Sequence, residues 1–476
     1  MRYMKKISID NISIVTVGWS PDLIGRIIDR LALPESIMFE HLLHPSIDQS
    51  KLNKEWSKRK NIHLFQESIS KTVLPEADIL GLKSLELEGV PTIREMIMSD
   101  RIVKYLPLED TLAYMTMIYH RITSVITRVN PLFVVGSFDS VHSGVACGVA
   151  KKLGIPFLTL KFSVIPESLC CMNIGLVPNS ILKLNYYDEE RLRKLAYKTL
   201  DGFEKRIVIA PAYQSPDGVK DLISRLPVHL KVLFRSVYET LTGSHFRFTA
   251  SPVHSLIKVY IRRRYNRLML SCTSFITTVP TTPFVFYGFH MQPESSIDVW
   301  GSFFSDQFNV IENIVRATPI DHLVLVKIHR SDVDNYSPYQ LKRIINLPRV
   351  RLIMPFVSSY EFIAKAAISF TIQGTIGLEA ALLGRPVIVF GDNMLKLFPS
   401  VKQVGRLSDL PRLIRDQLVN APIDRELIVN SYCEYLRHYF NSSSNNWNKD
   451  ITIDNLDGYS SLFRAAIEYC VTTKIS

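Results

Sequence analysis

The sequence predicts an α/β protein of two doubly wound domains, and two observations carry that expectation. Short β-branched and apolar runs alternate with helically spaced segments along most of the chain. Several of the runs are apolar at every position, as strands buried on both faces of a parallel sheet must be. At 476 residues the chain also exceeds what one ordinary core organises, so two domains are expected.

The clearest unit is AISFTIQGTIGLEAALLGRPVIVFG at 367–391. Residues 368–372 read as a strand ending at Gln373-Gly374-Thr375, residues 376–383 as a helix stopped by Gly384, and residues 387–390 as a second buried strand. In such a unit Gly374 lets a ligand approach the backbone, Thr375 is placed to cap the helix, and the first-turn amides favour a phosphate. Glu379, one turn further on, is within reach of a ribose hydroxyl.

From the N-terminus, a strand at 12–17 ends at Gly18 and leads into a helix at 23–31, while 35–110 read as helices and loops. A helix over 112–129 precedes a strand at 132–136, a turn at 137–140, a helix at 144–153 and a strand at 157–162. Asp139 and His142 then fall in a strand-to-helix loop. There they either meet an acceptor or act as a base, or they serve as a helix cap and a loop residue. Between 188 and 271 the pattern turns helical and basic, clearest at 226–241 and 254–270. The second of these sets Arg262, Arg263, Arg264 and Arg267 beside Ile257, Tyr260, Tyr265 and Leu268, which suits a membrane interface or a solvated face.

Residues 275–283 read as a linker, and the strands expected after it are 284–289, 323–328 and 350–354, with helices at 306–316 and 341–345. After 407 the pattern is a helical tail, broken by a polar loop at 441–446. The expected organisation is an acceptor-side Rossmann-like domain over 1–274, including the basic helical region 188–271, a nucleotide-sugar domain over 275–407, and the tail 408–476.

Hydrophobic residues at 47% and charged residues at 21% describe a folded chain, and a formal charge of +11 calls for an anionic partner. No helix-turn-helix, RNP-like or zinc-finger pattern supports nucleic acid. The 6 cysteines contain no C-x-x-C pair, so reduced thiols in a cytoplasmic protein and no structural zinc are expected. Asp10 and Asn11 interrupt the apolar start before signal-peptide length. No uncharged stretch reaches the roughly 18 to 20 residues of a spanning helix, so any membrane contact is expected from the surface.

Two strands of the second domain end at His290-Met291-Gln292-Pro293-Glu294 and at His329-Arg330-Ser331-Asp332. Both point at the same rim as Gln373-Gly374-Thr375. A carboxylate, two imidazoles and a phosphate-binding turn on one edge suit glycosyl transfer, because the leaving phosphate needs donors and a carboxylate can trap an oxocarbenium-like centre. Glu294 has a second reading as a cap or salt-bridge partner, and His290 and Gln292 as structural supports. Asp298 is the rival carboxylate. No metal cluster is visible.

The string GTIGLEAALLGRPVIVFG resembles the G-T-x-G-L-E-A-x-x-x-G-x-P-V-x-x-F-G stretch of bacterial capsule and surface polysaccharide biosynthesis proteins related to retaining Kdo (3-deoxy-manno-octulosonic acid) transferases. That family also carries H-x-Q-P-E-x-S/T, matched by His290, Gln292, Pro293, Glu294 and Ser296. Its V-K-x-H-P is matched by Val326, Lys327 and His329, with Arg330 in place of the usual proline. The resemblance covers roughly 284–391 well and the N-terminal half in outline.

What the resemblance implies is a GT-B-like fold, two Rossmann-like domains facing a cleft. The implied activity is retaining transfer of Kdo or a related nonulosonic acid from a CMP donor onto a capsule or lipopolysaccharide glycan or glycolipid. Glu294 would be the nucleophile and His329 the donor-side histidine. Gln292, Lys327, Arg330, Gln373, Gly374, Thr375 and Glu379 would surround the donor, while Asp139 and His142 are acceptor-side candidates only by the first of their two loop readings. No cofactor beyond the CMP-sugar is implied, since amides, Lys327 and Arg330 can hold its single phosphate without magnesium. The alternatives are a transferase using a UDP- or GDP-sugar and a non-catalytic assembly protein that binds a glycolipid at the membrane.

Overall fold

The computed structural model describes residues 12–18, 26–27, 38–42, 62–65, 74–137, 140–163, 165, 169–176, 189–206, 253–270, 273–419, 423–441 and 453–475. Its strands form two seven-stranded sheets. In the first, β1 (Ser13–Val17), β2 (Met38–Leu42), β3 (Ile62–Phe65), β4 (Phe133–Gly136) and β5 (Phe157–Ser163) run parallel, and β6 (Leu169–Ile174) is antiparallel to β5. The second is wholly parallel. It comprises β7 (Phe275–Ile276), β8 (Phe284–Gly288), β9 (Leu323–Lys327), β10 (Val350–Ile353), β11 (Ile368–Thr371), β12 (Val387–Val389) and β13 (Val401–Gln403). The last strand, β14 (Phe440–Asn441), returns to the first sheet and pairs antiparallel with β6.

The strand order is β14-β6-β5-β4-β1-β2-β3 in one sheet and β13-β12-β11-β8-β9-β10-β7 in the other. The order reverses between β4 and β1 in the first sheet and between β11 and β8 in the second, where β7 is added out of turn at the β10 edge. Crevices at strand carboxyl ends open at such switch points. Two Rossmann-like domains in a GT-B-like arrangement are therefore present, with a helical basic segment and a helical tail.

Both faces of each sheet are covered, which is why central strands such as β4 and β8 are buried at every position. Phe284 and Phe286 enter a core with Phe362, Leu382, Tyr432 and Leu436, while Val285 and Tyr287 face the opposite side with Ile311, Ile314 and Leu341. The helix Glu189–Glu204 adds Leu192, Ala196, Leu200 and Phe203 to the first of these cores, although the sequence places it with the N-terminal half. The tail crosses in the other direction. Tyr459, Leu462, Phe463, Ala466 and Cys470 of the helix Ile453–Ile475 pack on Ile14, Phe133, Leu158, Leu160 and Met172.

Several local expectations need correction. Residues 275–276, read as linker, form the edge strand β7 against β10, where pairing satisfies edge N–H and C=O groups that two residues are too few to advertise by periodicity. His142 lies within the helix Val141–Lys152 and not in a loop. That helix starts early because Ser140 accepts from the Ser143 N–H at 3.4 Å and the Asp100 carboxylate accepts from the Val141 N–H at 3.2 Å. The cap before the helix Thr375–Leu382 is Gly374, so Thr375 is its first residue and not its cap. Asp139, most of the expected helix at 23–31, the helix at 226–241 and the loop at 442–446 lie outside the described residues. Among the described residues no helix is long and apolar enough to cross a membrane, and the side chains of Cys147, Cys171, Cys433 and Cys470 are buried.

Candidate active site

The site is built where β8 and β11 diverge, at the reversal of the second sheet. Strand β8 ends at Gly288, and the chain passes through Phe289 to His290, which is 6% exposed beside the turn that follows β11. The His290 Nε2 accepts from the Gln373 N–H at 3.2 Å and lies 3.0 Å from Thr371 Oγ1, which itself accepts from the Gly374 N–H at 2.8 Å. An Nε2 that accepts leaves the ring proton on Nδ1, which faces Gln307 Oε1 at 3.3 Å. Burial pushes the imidazole down to about 4, aided by the nearby His329, so the ring stays neutral and keeps this pattern. His290 thus ties the end of β8 to the turn 373–374.

Gln307 is the hub that the sequence reading missed. Its Oε1 accepts from the His290 N–H at 2.8 Å and the Tyr287 hydroxyl at 3.0 Å, and its Nε2 donates to the His290 carbonyl and to Gln292 Oε1, each at 3.0 Å. Asp306 caps the helix Gln307–Ala317 and turns Gln307 inward to 1% exposure. One glutamine opening an amphipathic helix carries no periodic signal. The Gln292 side chain is held in the same network, its Nε2 donating to the Ser305 carbonyl at 3.0 Å.

Gly374 is required by this packing. A Cβ there would stand 2.7 Å from His290 Nε2 and 3.0 Å from Thr371 Oγ1. The Thr375 hydroxyl hydrogen-bonds Glu379, and burial pushes that carboxyl up to about 7 against the pull of Thr375 and Lys327. Lys327, at the end of β9, donates to the Pro355 carbonyl at 2.9 Å, and burial lowers its ammonium to about 8 while Glu379 opposes the shift. Beyond it, His329 is half-buried and shifted down by burial and by Lys327. The Arg330 guanidinium stands over the Phe356 ring at 5.7 Å. Gln373 Nε2 donates to the Asp392 carbonyl. Lys327, His329, Thr375 and Glu379 are therefore brought together with the turn 373–375.

Glu294 precedes the short helix Ser295–Asp298 and is half-buried. Burial raises its pKa, while a Ser296 hydrogen bond and the Arg101 guanidinium pull it down. Asp298 is turned onto the backbone, its Oδ2 accepting from the Glu294 N–H at 3.1 Å. The first domain touches this segment directly and forms a wall beside it. The Ser99 hydroxyl donates to the Asp298 carbonyl at 2.6 Å, and the Ser302 hydroxyl donates to Glu95 at 3.1 Å. Arg101 and this wall are a second group absent from the sequence reading, because nothing local links 95–101 to 294–302.

Asp332, 2% exposed in the loop after β9, accepts from the Gln292 N–H at 3.3 Å and from Asn335, and burial pushes its carboxyl up to about 6. On the first domain, His142 Nε2 lies 2.9 Å from the Tyr114 hydroxyl, in the first turn of its helix. Among the described residues no group of three or more His, Cys, Asp or Glu is placed to hold a metal ion.

No family model matches the chain. Protein FixF of Sinorhizobium fredii is 29% identical over 142 residues, 28% of this chain, and the match spans 33% of FixF's own length. Similar solved structures include Thermosulfurimonas dismutans KpsC, a beta Kdo 2,4 transferase, at 11% identity and a TM-score of 0.35, covering 69% of this chain and 87% of that one. A UDP-GlcNAc 2-epimerase of Methanocaldococcus jannaschii in complex with UDP-GlcNAc and UDP is similar at 13% identity and a TM-score of 0.30, covering 96% and 99%.

Proposed function

We propose that the protein is a retaining glycosyltransferase that moves Kdo or a related nonulosonic acid from a CMP donor to a capsule or lipopolysaccharide glycan. The observation that carries this reading is the position of Glu294. It is a half-buried carboxylate in the segment after β8, and that segment packs at Gly301 on Ile372, at the end of β11, just before a turn whose helix leaves first-turn N–H groups for a phosphate. In the proposed reaction a Glu294 oxygen attacks the anomeric carbon while the bond to the CMP phosphate breaks, and the phosphate leaves with the electron pair. An acceptor hydroxyl then displaces Glu294 and gives up its proton, with His142 the acceptor-side candidate on the described residues. Two inversions keep the configuration. Lys327, Arg330 and the turn 373–375 hold the leaving phosphate, His329 faces the donor, and Glu379 takes the ribose.

Thermal unfolding with nucleotides tests the donor class. CMP should raise the midpoint, and UDP or GDP should not. A rise with UDP or GDP alone replaces the donor, and a chain that responds to no nucleotide is not a transferase of this kind.

The Lys327 ammonium supplies a second check. It is charged below its value of about 8 and neutral above it, so CMP affinity should fall as pH rises through 8 to 10. The Lys327-dependent part is lost by up to about tenfold per pH unit. Calorimetric titration should find that step in the wild type and its absence, at lower affinity, in Lys327→Met. A flat wild-type profile removes Lys327 from the donor site.

A further inference from the structure

The helix Val253–Met269 presents an apolar stripe to solvent. Ile257, Tyr260, Ile261, Tyr265 and Leu268 are between 46% and 74% exposed. Their spacing of three and four residues puts them on one face. Asn266 lies on the opposite face at 2% exposure, and its Nδ2 donates to the Asp334 carbonyl at 3.0 Å. Lys258 and Arg267 stand on the two shoulders of the stripe. Arg264 rests on Tyr260, its guanidinium 5.3 Å from the ring centroid and its Nε donating to the hydroxyl at 3.3 Å. The helix, VHSLIKVYIRRRYNRLM, contains no acidic residue.

We infer that this face docks on an anionic phospholipid surface. An apolar ridge with cations on both shoulders fits the boundary between headgroups and acyl chains, where Ile261 and Leu268 can enter while Lys258, Arg262 and Arg267 meet phosphates. The absence of any acidic side chain leaves nothing on the helix to repel that surface. Asp334 and Asp332, beside which Arg263 stands, belong to the loop after β9, so the docked helix rests on the segment that follows His329 and Arg330. The surface itself is independent of whether the chain transfers a sugar.

Sedimentation of the full chain with vesicles tests the inference. The protein should pellet with mixed phosphatidylglycerol and phosphatidylcholine vesicles at low salt, remain in solution with phosphatidylcholine alone, and be released as salt rises. Lys258→Ser with Arg262→Ser and Arg267→Ser should lower the partition by on the order of a hundredfold, and Ile261→Ser with Leu268→Ser should also lower it. Leu407→Ser with Val419→Ser, exposed apolar positions elsewhere, should leave it unchanged. All five helix positions are exposed, so the variants should unfold at the wild-type temperature, and the wild-type lipid and salt comparison stands without them. Failure to pellet at low salt overturns the proposal. So does full binding by both helix variants, or light scattering in which the wild type is a dimer that the stripe variants dissociate.

Discussion

Glu294→Gln should keep CMP-sugar binding within a few-fold of wild type while transfer falls by at least about 10³-fold. The substitution preserves shape and removes the charge and most of the nucleophilicity. Asp298 is poorly placed to replace it, because its carboxylate already accepts the Glu294 N–H. Mass spectrometry of the wild type incubated with donor alone should find a sugar adduct on the peptide containing Glu294, and none in the variant. Because burial raises the Glu294 pKa, transfer should also decline on acidification earlier than an ordinary carboxylate would dictate, as the nucleophile takes up a proton. Near wild-type turnover in Glu294→Gln, or an adduct mapped elsewhere, removes Glu294 as nucleophile.

The second large effect is expected at Gly374. A side chain there collides with a buried imidazole and a buried hydroxyl whose positions are fixed by Gln307 and by the Gly374 N–H. Gly374→Val should therefore cost about 1 to 3 kcal/mol of folding stability, and CMP binding should be lost with it as the turn moves. Denaturant unfolding of Gly374→Ala, His290→Ala and the double variant separates the two causes. Removing the imidazole vacates the space the new methyl needs, so the double variant should lose less than the sum, by at least about 0.5 kcal/mol. Additive losses show that the glycine is needed for something other than His290.

The second sheet was readable because its central strands, such as β8 and β12, are runs of buried apolar side chains, and the rim was readable because parallel strands deliver their carboxyl ends to one edge. That edge carries His290, His329 and the turn at Gly374 together. The unread part depends on long-range contact. Gln307 acts through atoms of Tyr287, His290 and Gln292, Arg101 acts on Glu294 from the other domain, and the packing need at Gly374 exists only once His290 is buried beside it. Thr375 misled for a related reason. A threonine after a glycine reads as a cap, yet its hydroxyl is taken by Glu379 within the same helix.

The crossing of the tail bears on the order in which the chain can fold during synthesis. Six of the first sheet's strands, β1 to β6, precede the second sheet in the chain, but one of its faces is closed by Tyr459, Leu462, Phe463 and Cys470, which follow it. Domains that emerge first usually fold first. Here Ile14, Phe133 and Leu160 wait uncovered until the segment beyond the second sheet has left the ribosome. Completion of the first sheet's domain is thereby coupled to synthesis of the second, and a nascent chain stalled in the second domain presents an open apolar sheet to chaperones.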